Sequence, residues 1–69
     1  MQKWEYLRVY RNSSGPMNIL EYDINGSKVE YESTWKMLNE MGEKGWELVT
    51  AIMHEGKTQG YIFKRPKLS

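Results

Sequence analysis

The run Gly42-Glu43-Lys44-Gly45-Trp46-Glu47-Leu48-Val49 leaves this chain few ways to fold. Just upstream, Trp35-Lys36-Met37-Leu38-Asn39-Glu40-Met41 supplies a helix. Gly45 suits the position past a helix end, where a left-handed backbone costs glycine little and most residues more. Trp46 then opens a strand. A join that short turns the strand straight back under the helix. The pattern predicts a helix laid on an antiparallel sheet, and it carries no chemistry of its own.

Sixty-nine residues make a single α+β domain, 1–69. A chain this short buries only about 60% of the surface it exposes when unfolded, and its core rarely supplies more than about 3–5 kcal/mol. There is no cysteine, so no disulfide and no thiolate metal site. The single histidine, His54, excludes a histidine-cluster metal site. No metal and no cofactor are expected, and oligomerisation is the support left. Three Trp, five Tyr and one Phe are too many aromatics for a disordered chain. No apolar run approaches the roughly 20 residues of a membrane span. The start, Met1-Gln2-Lys3-Trp4-Glu5-Tyr6, has no apolar signal region. The expectation is a soluble, cytoplasmic protein without a membrane partner.

Residues 3–11 alternate as a strand, with Trp4, Tyr6, Arg8 and Tyr10 opposing Glu5, Leu7, Val9 and Arg11. A loop is predicted over 12–16, and a second strand over 17–24. Asn25-Gly26 is a strong hairpin signal, because a type I′ turn needs positive φ at both central residues. A third strand follows over 27–31. Ser27 with Glu30 also fits a capping box for an earlier helix start. Val29 and Tyr31 keep a two-residue period, which favours the strand. Ser33 is then the N-cap of a helix over 34–44, with Thr34, Trp35, Met37, Leu38 and Met41 as its buried stripe. Gly42, costly inside a helix, suggests close approach of the last turn to the sheet. Strands over 46–54 and 59–65 complete the order β-β-β-α-β-β, and Pro66 ends the last of them.

Both faces of this sheet are apolar. One grouping sets Trp4, Tyr6 and Tyr10 with Trp46, Leu48, Ile52, Tyr61 and Phe63. The other carries Leu7, Val9, Val49, Ala51, Met53 and Ile62. One helix covers one face, and monomers seldom leave such a second face open. The second grouping is the candidate interface, and a homodimer is the simplest way to cover it.

The chain resembles the small bacterial proteins of domain-of-unknown-function family 4177. The resemblance rests on Lys3-Trp4-Glu5-Tyr6, on Leu38-Asn39-Glu40-Met41-Gly42 leading to Gly45-Trp46-Glu47-Leu48-Val49, and on Tyr61-Ile62-Phe63-Lys64-Arg65-Pro66. It covers nearly the whole chain. It implies a small α+β domain with one helix on an antiparallel sheet, and it implies no activity.

The residues themselves point away from an enzyme. The serines occupy turns, caps or the tail, and there is no nucleophile elbow. His54 beside Glu55 reads as an exposed loop histidine. The acid pairs Glu30 with Glu32 and Glu40 with Glu43 read as solvated faces. The net charge of +1 conceals an asymmetry: residues 1–11 sum to +2, residues 12–55 to −5 and residues 56–69 to +4. If the terminal strands are neighbours, their charges form a basic patch. Tyr6, Arg8, Tyr61 and Arg65 would then make a single-stranded nucleic-acid platform. A charge of +1 falls short of the usual basic footprint of nucleic-acid binders. An apolar face rich in Trp and Met, with Met17, Met37, Met41 and Met53, would also suit a small ligand. The reading preferred is a non-enzymatic, self-associating protein-interaction module, with an unidentified protein partner possible and nucleic acid or a small ligand as the alternative.

Overall fold

The computed structural model describes residues 1–12 and 19–68. The elements run β1 (Trp4–Asn12), β2 (Leu20–Ile24), β3 (Ser27–Tyr31), α1 (Thr34–Glu43), β4 (Glu47–His54) and β5 (Lys57–Pro66). This is the expected α+β order. Asn12, the first residue of the loop predicted over 12–16, instead ends β1; the rest of that loop, the start of the predicted second strand and Met17 lie outside the described residues. The strands form one antiparallel sheet in the order β3-β2-β1-β5-β4. The first strand therefore sits in the middle, with the last strand beside it.

Local chemistry sets the joints. Asn25 and Gly26 have φ of 52° and 85°, as a type I′ turn requires, and the Gly26 N–H donates to Asp23 Oδ1 at 3.1 Å. Glu55 and Gly56, at 51° and 78°, make a second turn of the same kind. The predicted four-residue link over 55–58 is thus only two residues long, and β5 starts at Lys57. Ser33 caps α1, its Oγ accepting from the Lys36 N–H at 3.2 Å. Ser27 opens β3, so the earlier helix start is ruled out. At the other end Gly45 has φ 88°. Its N–H donates to Gly42 O, and the Trp46 N–H donates to Met41 O, both at 2.9 Å. This pair of bonds is a Schellman motif. Trp46 belongs to that motif, and β4 begins one residue later than predicted.

Val9, Tyr22, Phe63, Met37 and Met41 form the buried core, and Leu38 and Trp46 pack against it. The Tyr22 hydroxyl is not stranded there, since it shares a 3.0 Å hydrogen bond with Thr34 Oγ1. Met37 and Met41 are four residues apart, so they project from the same side of α1 onto the sheet. Trp35, placed in the buried stripe from sequence, is instead 74% exposed. The stripe needs only the 37–41 spacing, and Trp35 falls outside it.

Cross-strand partners share a face, so the pairing settles which side α1 covers. Leu7 pairs with Phe63, and Val9 with both Tyr61 and Ile24. The helix therefore covers Leu7, Val9, Tyr22, Tyr61 and Phe63. Trp4, Tyr6, Arg8 and Tyr10 lie on the side without a helix. This corrects the sequence-based grouping, which set Tyr61 and Phe63 with Trp4 and Tyr6. The alternation within β1 and β5 was right, but the phase between these strands was one residue out, and the alternation read for β4, which set Leu48 with Ile52 and Ala51 with Met53, was not. In β4 the register shifts between Leu48 and Thr50 and again between Ile52 and Met53. These irregularities break simple alternation, so Thr50 and Ile52 share one face while Leu48 and Ala51 share the other.

Two glycines behave oppositely. A Cβ on Gly60 would lie 2.5 Å from Val9 O and 2.9 Å from Tyr10 Cδ1. β5 thus passes β1 at a distance only glycine permits, with the Tyr10 ring over the gap. A Cβ on Gly42 would meet nothing within 4 Å, so close packing does not explain that residue, contrary to the expectation from sequence.

Two sets of substitutions test this arrangement by urea unfolding. Met37→Ala should cost about 2–5 kcal/mol, as large-to-small core changes do, while Trp35→Ala should stay within about 0.5 kcal/mol of the parent. Equal losses would mean that the helix face is misassigned. Gly60→Ala should destabilise by about 1–3 kcal/mol through overpacking, whereas Gly42→Ala should stabilise by up to about 1 kcal/mol through helix propensity. A neutral Gly60→Ala would contradict the close approach.

Candidate interaction surface

β1 is the spine of the helix-free face. Its two-residue period presents Trp4, Tyr6, Arg8 and Tyr10 in one column. Tyr6 is 64% exposed, Trp4 41% and Tyr10 37%. Pairing places Lys64 beside Tyr6, Ile62 beside Arg8 and Gly60 beside Tyr10. Two cations lie over rings: Arg8 is 4.7 Å from the Tyr10 centroid, and Lys64 is 4.5 Å from that of Trp4. On the β2–β3 side the same face carries Glu21, Asp23, Glu30 and Lys28. On the β4 side it carries Glu47, Thr50, Ile52 and Met53. A shallow depression of about 810 Å³, open to solvent, runs along Tyr6, Arg8, Tyr10, Asp23 and Ile62.

The candidate residues from sequence do not stay together. Of the six proposed interface residues, Ile62 and Met53 are on the helix-free face. Val49 lies at the first irregularity of β4 and is exposed. Leu7, Val9 and Ala51 share the helix side, and Val9 is fully buried, so it has no surface to offer a partner. Of the four proposed nucleic-acid residues, Tyr6 and Arg8 are on the open face. Tyr61 and Arg65 are on the other, because each pairs with the alternate set of β1 residues.

Arg65 has structural work there. Its guanidinium is ion-paired with Glu5, its Nη1 donates to Lys44 O at 3.0 Å, and it lies 4.1 Å from the Trp46 ring centroid. It thereby puts a cation at the C-terminus of α1, where the helix dipole favours one, and ties the glycine joint to β1. Sequence reasoning missed this role, and it missed the close approach at Gly60. It also missed the acidic flank of the face, for which the negative charge of residues 12–55 was a signal.

His54 and Glu55 face each other at 3.7 Å, both exposed at a turn. Among the described residues no three His, Cys, Asp or Glu side chains converge to hold a metal ion. Among the described residues no helix is long and apolar enough to cross a membrane. A second open depression, about 1030 Å³, lies against Tyr10, Asn12, His54, Lys57 and Tyr61, and it too is unenclosed.

The family model described as Domain of unknown function (DUF4177) matches residues 4–66, which span all six elements. The chain belongs to this family. No curated protein and no solved structure matches it. The DUF4177 match leaves the chemistry of the chain to be argued from its surface.

On the helix side, Tyr31 packs edge-on against Tyr22, with ring centroids 6.0 Å apart. Burial, and then the neighbouring Glu40 carboxylate, push its phenol from the ordinary 10.0 up to about 12. Between those values the folded chain keeps a proton that the unfolded chain has lost. The resulting stabilisation is complete below pH 10 and disappears as the pH rises through about 12. An absorbance titration of tyrosinate should show one late component near pH 12 that Tyr31→Phe removes. Loss of no late component in that variant would show that Tyr31 titrates normally.

Proposed function

We propose that this DUF4177 chain is a non-enzymatic protein-interaction module of the cytoplasm that associates with copies of itself through its helix-free sheet face. The observation that carries the reading is the exposed column of Trp4, Tyr6 and Tyr10 on the central strand, continued by Ile62 and Met53. Contiguous apolar groups of this size on so small a domain mark an interaction site more often than they mark idle surface. Covering such a face is worth several kcal/mol at about 25 cal/mol per Å², before association costs are subtracted. That gain is comparable with everything a core of this size provides.

A second reading has one observation in its favour. Three aromatics in line with Arg8 and Lys64 have the form of a stacking platform for single-stranded nucleic acid. Glu21, Asp23, Glu30 and Glu47 on the same face oppose it, because each repels a phosphate. The charge of the face thus weighs towards a protein surface.

Light scattering across a dilution series tests the proposal. A dimer is expected at high micromolar concentration, with a melting temperature that falls on dilution. A monomer mass at that concentration, with a melting temperature independent of dilution, would refute it. Quenching of tryptophan fluorescence by a mixed single-stranded oligonucleotide, relieved steeply by salt, would favour the second reading instead.

A further inference from the structure

The described methionines have two kinds of surroundings. Met37 and Met41 are sealed in the core under α1. Met53 is on β4, an edge strand of the sheet, and is 57% exposed. Met1, at the chain terminus, is exposed as well. Met53 differs from Met1 in being held. It pairs with Thr58 across the β4–β5 hairpin, and the Thr58 hydroxyl donates to its Sδ at 3.2 Å. A thioether sulfur is a weak acceptor with two lone pairs. The hydroxyl engages one of them and leaves the other for a reagent arriving from solvent.

An accessible thioether is open to two-electron oxidation by a peroxide. The free lone pair attacks one oxygen of hydrogen peroxide. An S–O bond forms as the O–O bond breaks, and the second oxygen leaves as water with both peroxide hydrogens. The sulfur is oxidised to a sulfoxide and the peroxide is reduced. The new oxygen is a stronger hydrogen-bond acceptor than the sulfur, and the Thr58 hydroxyl is already placed to donate to it. Met53 is at the surface, so the polar product leaves the core intact. The same product at Met37 or Met41 would put an unpaired polar group among Val9, Tyr22 and Phe63.

We infer that Met53 is a site of peroxide oxidation whose sulfoxide weakens the contact between copies of this chain. The effect on association rests on the self-association proposed above, in which Met53 extends the apolar face. A polar oxygen there must shed its water before a second copy can cover it, and Thr58 replaces only one of the lost bonds. The same contact shields Met53, so the reaction runs through the free chain and slows as dimer accumulates. Reduction of the sulfoxide restores the thioether and with it the contact.

Dilute hydrogen peroxide on the full, folded chain tests the site. Trypsin separates the methionines, since Met53 falls in the peptide 45–57, and Met37 with Met41 in the peptide 37–44. Mass spectrometry of timed samples should show 45–57 gaining one oxygen at least about tenfold faster than 37–44. Equal rates, or a slower gain in 45–57, would overturn the assignment. Sedimentation equilibrium then reads the consequence, with far-UV circular dichroism to follow the fold. Peroxide should weaken dimerisation of the parent by about tenfold. It should leave Met53→Leu, which keeps an apolar side chain without sulfur, at the parent affinity, although Met1 is oxidised in both. An unchanged dimer after complete oxidation of Met53, or an equal loss in Met53→Leu, would overturn the effect on association. Loss of the folded signal on oxidation of Met53 would overturn it too. A monomeric parent would refute that effect together with the reading beneath it, and the oxidation rates would still decide the site.

Discussion

Met37 and Met41 lie one helical turn apart and close the core over Val9, Tyr22 and Phe63. Each of the three central strands contributes one of those side chains. Everything else follows from that small contact. It decides which side of the sheet is interior, and so which residues of β1 are left in water. It also demands that β4 start directly below the end of α1, which the Schellman turn at Gly45 arranges. With ten residues, α1 cannot reach across the whole sheet. Leu48 on the edge strand stays about half exposed, although it is on the helix side.

Much of the fold was legible in the sequence wherever a single residue type answers a local backbone demand. Asn25-Gly26, Ser33 and Gly45 were read correctly because positive φ and an orphan N–H each select a short list of side chains. The relative phase of the strands was not legible. Alternation gives a period of two, and it does not say which of two aromatic-rich sets faces the helix. Tyr61 and Phe63 look like natural companions of Trp4 and Tyr6, yet pairing sets them with Leu7 and Val9. The candidate surface inherited the same ambiguity: Tyr6 and Arg8 share the open face, while Tyr61 and Arg65, grouped with them from sequence, lie on the other side. Position along the chain could not foretell the irregularities in β4, which arise from tertiary pairing.

Charge shows the same limit. The expectation that the two basic termini are neighbours is correct, since Trp4 pairs with Pro66. The patch that results is smaller than the count of lysines and arginines suggests. Alternate residues leave on opposite faces, and Arg65 is engaged by Glu5, Lys44 and Trp46. A cation that fastens a helix end has little reach left for a polyanion. What remains on the open face is a mixture of signs: Arg8, Lys28 and Lys64 with Glu21, Asp23, Glu30 and Glu47.

The central position of β1 has a consequence for how the chain comes to be folded. β1 leaves the ribosome well before β5, the strand with which it pairs along most of its length. Until residues 57–66 emerge, one edge of β1 is unsatisfied and its aromatic column has no neighbouring strand on that side. The two tight hairpins, β2–β3 and β4–β5, can form locally and early, whereas the sheet that joins them waits for a contact between the two ends of the sequence. The nascent chain is thus most adhesive just before residues 57–66 emerge, when a neighbouring copy offers the same edge.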